Sequence, residues 1–159
     1  KKHNLKVMAD SVLFLREQGI KSVAQLDVLI QERADKRQEL QEKIKLIDDK
    51  SAQLSAVMEH AHTIKQFKEI YKYHKENPND KQFENEYSRE IALYKVAATE
   101  LLKTYKKLPD TKEILTELDS LHEKKNTLMK EYSETKTNID DLFIIRKNFE
   151  QYMGKEMER

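Results

Sequence analysis

What most restricts this chain is how rarely anything in it breaks a helix. Across 159 residues there are two glycines and two prolines, at Gly19, Pro78, Pro109 and Gly154. A helix-interior glycine costs about 1 kcal/mol relative to alanine and a proline about 3 kcal/mol. The stretches 20–77, 79–108 and 110–153 are therefore free to stay helical, reaching about 87, 45 and 66 Å at the α-helical rise. Close to half of the residues are Ala, Glu, Lys, Leu or Arg, the share found in coiled coils and long helices. Strand-rich and α/β folds are excluded on the same counts. The 30 basic and 29 acidic residues nearly cancel, to +1. The apolar residues recur with a helical period, which marks a folded, thin-cored chain and not a disordered one.

The breakers and the period together predict helices over about 4–18, 23–76, 80–107 and 111–153, within a single elongated helical domain spanning 1–159. Leu5, Met8, Val12 and Leu15 repeat at helical spacing, and Gly19 supplies the left-handed residue that ends such a helix. Ser22 is the expected N-cap of the next helix, with Asp27 adding a favourable charge near its first turn. Along that helix Leu26, Ile30, Leu40, Ile44, Ile47, Leu54, Val57/Met58, Ala61, Ile64, Phe67/Lys68 and Tyr71 follow alternating steps of three and four, a coiled-coil seam interrupted by Arg33, Arg37 and Ser51. Asp48-Asp49 next to Ser51 offers an alternative cap should the helix break there. Asn77-Pro78-Asn79-Asp80 is a loop, because proline pushes the preceding residue out of helical geometry. A third helix, with Phe83, Tyr87, Ile91, Tyr94, Ala98, Leu101, Tyr105 and Leu108 on one face, ends before Pro109.

Asp110 and Glu113 form a D-x-x-E start for the last helix. Its seam is Ile114, Leu118, Leu121, Lys125, Leu128, Tyr132, Thr135, Ile139, Leu142, Ile145 and Phe149, stopped by Gly154. With Leu26 level with Phe149, Ser51 falls opposite Lys125, so two polar seam positions coincide in an antiparallel pairing. The expected fold is all-α: an elongated antiparallel coiled-coil hairpin of two long helices, with a short N-terminal helix and a helical cap segment. An up-down-up helical bundle is the alternative.

The chain has no cysteine, which removes disulfides, thiolate metal sites and thiol nucleophiles and fits a reducing, cytoplasmic setting. No apolar run approaches the ~18 residues of a membrane span, so no membrane partner is expected. The start at Lys1-Lys2 reads as a piece of a longer protein.

Chemistry is hard to find. His60 and His62, two positions apart, project to opposite sides of a helix, and His3, His74 and His122 stand alone, so no metal or other cofactor is expected. No motif near Tyr71, Tyr73 and His74 supplies the metal or cationic pocket that a tyrosine nucleophile needs, and no catalytic residue is assigned. Lys65, Lys68, Lys72 and Lys75 share one helix face over about 15 Å and interleave with Phe67, Tyr71 and Tyr73. Such a strip suits a phosphate backbone, without base specificity, and an ordinary solvated lysine face is the alternative.

His3-Asn4-Leu5-Lys6, Met8-Ala9, Phe14-Leu15 and Gly19-Ile20 together resemble the pattern H-N-L-K-x-x-A-x-x-x-x-F-L-x-x-x-G-I. That pattern is found downstream of the nuclease domain in relaxases, the mobilisation nucleases of conjugative transposons and plasmids of Gram-positive bacteria. Tyr71-Lys72-Tyr73, the run Glu90-Ile91-Ala92-Leu93-Tyr94-Lys95-Val96-Ala97, Leu108-Pro109 and the run Leu142-Phe143-Ile144-Ile145-Arg146-Lys147-Asn148-Phe149 extend the resemblance over nearly the whole chain. It implies a C-terminal helical region without the nuclease, so none of the family's tyrosine or histidine residues carries over. The implied role is a non-catalytic interaction or scaffold domain that organises the transfer complex. Its implied partners are relaxosome or coupling proteins, DNA, or a second copy joined through the coiled-coil seams. An auxiliary DNA-binding module and a generic structural coiled coil are the alternatives.

Overall fold

The computed structural model describes the backbone of residues 2–157 and the side chains of 6–152 and 154. Those residues are all-α with no strand. The helices are α1 (Lys2–Glu17), α2 (Val23–Glu76), α3 (Lys81–Glu86), α4 (Ser88–Leu102), α5 (Thr111–Lys147) and α6 (Phe149–Met157). The chain divides into two compact units, 1–45 with 126–159, and 46–125.

In the first unit, Gly19 ends α1 as its position predicts. Its φ is +68°, Gly19 N donates to Arg16 O at 3.0 Å, and Ile20 N donates to Leu15 O at 2.8 Å. This is the paired bonding of a Schellman cap, with Leu15 and Ile20 both in the core beneath it. Ser22 Oγ then accepts from Gln25 N at 3.2 Å to start α2. Leu15, Ile20, Leu26, Ile30, Leu142, Ile145, Phe149 and Tyr152 form the core, with Met8 and Val12 packed against it. Leu5, His3 and Met153 lie outside the described side chains.

Asp27 falls just past the first turn of α2, which holds no acidic residue. It takes Arg146 Nε at 2.5 Å and Nη2 at 3.3 Å from α5, a bidentate pair across the two helices. Lys36 on α2 meets Glu131 on α5 at 3.1 Å. As α2 advances from 27 to 36, its partner on α5 therefore retreats from 146 to 131, and the two helices run antiparallel.

Gly154 does not stop the last helix. The break falls at Asn148, whose side-chain amide donates to Ile144 O at 3.0 Å while its own N–H reaches Ile144 O and Ile145 O at 3.2 and 3.1 Å. Asparagine competes with the ladder for that carbonyl, and α6 restarts one residue later, running through Gly154.

In the second unit α2 continues past Asp48-Asp49-Ser51 without a break. Asp48 is not free to cap, because its Oδ1 receives Lys125 Nζ at 2.7 Å. Lys125 thus finds a carboxylate one turn before Ser51, the level at which the sequence placed it. Lys50 and Glu117 pair at 2.9 Å, and Leu54, Ile114 and Leu121 form the core with Ile47, Val57, Met58 and Leu118. Here too α2 and α5 are antiparallel.

The expected third helix is two helices. It breaks at Tyr87 and ends at Leu102, five residues short of 107. At the break, Phe83 packs between Tyr73 and Tyr87, with ring centroids at 4.2 and 4.6 Å. This holds the short α3 against the end of α2 while α4 turns Ile91, Ala97 and Leu101 inward. At the other end Tyr105 N returns to Leu101 O at 2.8 Å, and Leu108, expected on the packed face, is exposed. Tyr94 stacks on Tyr71 at 4.1 Å, and Glu100 lies within electrostatic reach of His60. Partners on α2 retreat as α4 advances, so α4 and then α5 both run back along α2. Asp110 caps α5 through Lys112 N, 2.9 Å from Oδ1.

Candidate functional site

Beyond Ala61, the face of α2 that buries Leu54 and Ala61 turns from apolar to basic residues, with Lys65, Lys68, Lys72 and Lys75 at 4, 7, 11 and 14 positions past Ala61. Lys65, Lys68, Lys72 and Lys75 are exposed, and none has an ion pair among the described residues. Lys75 Nζ sits 5.7 Å from the centroid of the Tyr71 ring, a weak cation–π contact at an exposed site. Glu69 and Glu76, also exposed, share this flank of the helix at three- and four-residue spacing from the lysines. These carboxylates partly offset the positive field of the strip.

The aromatic residues between the lysines are engaged elsewhere. Tyr71 is stacked on Tyr94, at an interplanar angle of 14°. The Tyr73 hydroxyl donates to Asp80 Oδ2 at 2.7 Å, and Asp80 Oδ1 in turn accepts from Phe83 N at 3.0 Å to cap α3. That hydrogen bond, with burial and the Asp80 charge behind it, pushes the Tyr73 phenol above its usual value. The phenolate is harder to form, the opposite of what a nucleophile requires. The same bonds, led by the one from Phe83 N, hold the Asp80 carboxyl below the usual carboxylate range.

Among the described residues no group of three or more His, Asp or Glu side chains is placed to hold a metal ion. His60 is half-buried facing α4 while His62 is exposed. Glu100 is held below its ordinary value first by Lys103, 2.7 Å away, and more weakly by His60. Also among the described residues, no helix is long and apolar enough to cross a membrane.

Two features escape the sequence reading. One is the Tyr73, Asp80, Phe83 and Tyr87 cluster, signalled only by aromatic residues flanking the Pro78 loop. The other is a groove between α1 and α5 beside Val7, Phe14 and Ile144, hinted at by the run Phe143-Ile144-Ile145, too apolar for one buried stripe. Searches against protein-family models, curated proteins and solved structures find no match.

Proposed function

We propose that this chain is a non-catalytic helical interaction domain of a relaxase, serving conjugative DNA mobilisation by organising the transfer complex in the cytoplasm. The resemblance of His3 to Ile20, and of the helical blocks after it, to the region downstream of relaxase nucleases supplies the family. The observation that carries the scaffold role is the 54-residue α2. Its seam is spent on α4 and α5, and its remaining faces display charge, an architecture that offers surface instead of enclosing a reaction site. Relaxosome or coupling proteins are the natural partners of such a surface.

A direct test deletes residues 1–159 from the full-length protein. Strand nicking at the origin of transfer should persist in vitro while transfer frequency in mating assays falls. Loss of nicking, or unchanged transfer, would refute the reading.

A second reading is auxiliary DNA contact through Lys65, Lys68, Lys72 and Lys75, favoured by their shared exposure and freedom from ion pairs. Fluorescence anisotropy with an origin oligonucleotide at low salt should show weak binding that Lys68→Glu with Lys72→Glu abolishes. No binding by the parent protein would dispose of it.

A further inference from the structure

The groove between α1 and α5 lies wholly within the first unit and has a volume of about 340 Å³. Its walls are apolar where Val7, Phe14 and Ile144 meet, and Val7 and Ile144 remain 42% and 54% exposed. Leaving large aliphatic side chains half in water forgoes the burial that stabilises the rest of this unit. Asp10 from α1 and Asp141 from α5 line the same groove, and no cationic residue does. A shallower depression continues along α5 past Asn138 and Asp141 to Glu134. Positions 134, 141 and 144/145 recur at helical spacing, so these carboxylates and the apolar wall form one track along α5. Asp10, Glu134 and Asp141 make no ion pair among the described residues. Ser11, the buried polar group beside them, is already satisfied by its bond to Val7 O at 2.8 Å.

Apolar surface flanked by unpaired negative charge is complementary to one common recognition element, a helix carrying apolar residues on one face and lysine or arginine beside them. We propose that the α1–α5 groove docks a basic amphipathic helix from a partner protein. Apolar side chains of that helix would seat on Val7, Phe14 and Ile144, and its cations would meet Asp10, Asp141 and Glu134. The inference stands apart from the relaxase reading, since it depends only on this surface and holds whatever larger protein carries it.

The probe is a fluorescein-labelled, acetylated and amidated peptide of about 15 residues, long enough to form a helix. Leucines occupy positions i, i+4, i+7 and i+11, with lysines flanking them, and a control peptide carries glutamate at every lysine position. Anisotropy with the intact 159-residue protein should show saturable binding of the lysine peptide, weakening as salt rises. Glu134→Lys with Asp141→Lys should shift the midpoint by about ten-fold, since both rim contacts turn repulsive. Ile144→Ser should weaken binding without changing its salt dependence. Glu113→Lys with Asp119→Lys, the same charge change placed on exposed positions of the second unit, should leave the midpoint where it was. Circular dichroism of each variant confirms that the helices persist. Absence of binding, equal binding of the glutamate peptide, or an unchanged midpoint in the Glu134/Asp141 variant would overturn the proposal. So would light scattering that finds the protein alone dimeric and Asp141→Lys monomeric, because a second copy would then own the groove.

Discussion

Leu26 and Val28 stand two residues apart on α2, and the first unit treats them in opposite ways: Leu26 is 0% exposed within the core of Leu15, Leu142, Ile145 and Phe149, and Val28 is 59% exposed. Leu26→Ala removes three carbons from a site with no water contact. At about 0.8 kcal/mol per buried CH₂ the transfer loss is about 2.4 kcal/mol. The cavity left in a core that draws on several helices raises the cost to about 3–4 kcal/mol. At about 2–4 °C per kcal/mol for a chain of this size, the thermal midpoint should fall by about 10 °C. Val28→Ala loses little burial and gains helix propensity, so its effect should stay within about 0.5 kcal/mol of zero. Thermal unfolding followed by circular dichroism at the helix band separates the two. Equal midpoints for Leu26→Ala and Val28→Ala would refute the seam assignment.

The two glycines should respond oppositely to alanine. Gly19→Ala, at φ +68°, should destabilise by about 1 kcal/mol or more, whereas Gly154→Ala, helical and with nothing within 4 Å of its new Cβ, should stabilise by up to about 1 kcal/mol; both are read as shifts in the urea midpoint. Arg33 Nε is buried without a hydrogen-bond partner, so Arg33→Met should raise stability by about 1 kcal/mol, and a lowered midpoint would contradict this. Asp27 is held below its ordinary value, first by the Arg146 hydrogen bond. A carboxyl depressed in the folded state adds stability that is complete above its unfolded pKa and is lost as pH falls through the folded one. Urea midpoints measured from neutral to acid pH should therefore decline less steeply for Asp27→Asn than for the parent.

Much of the fold is legible in the sequence because one-dimensional signals determine it. The Gly19 cap, the Asn77–Asp80 loop, the Asp110 cap and the antiparallel seams depend on local chemistry and on periods of three and four. The breaks at Tyr87, Leu102 and Asn148 are not legible in this way. Tyr87 looks like one more seam residue until Phe83 packs between it and Tyr73, and Asn148 gives no warning until its amide donates to the Ile144 carbonyl. Gly154 misleads in the other direction, because an exposed glycine near a helix end costs too little to stop it. The exposure of Lys65, Lys68, Lys72 and Lys75 does not follow from the seam, because they continue the helix face that carries the buried Leu54 and Ala61. The acidic groove does not follow from any period, since it exists only where α1 lies on α5.

Antiparallel pairing of α2 with α5 is the claim on which the rest depends, and the chain's lack of cysteine makes it directly measurable. Asp27→Cys with Arg146→Cys, both exposed, accept nitroxide labels whose separation is read by electron–electron dipolar spectroscopy. Adjacent helices have axes about 8–10 Å apart, so a single short distance, of that width plus the labels, is expected. Parallel helices starting level would place position 146 about 45 Å further along from position 27, and a distance of that size would contradict the pairing.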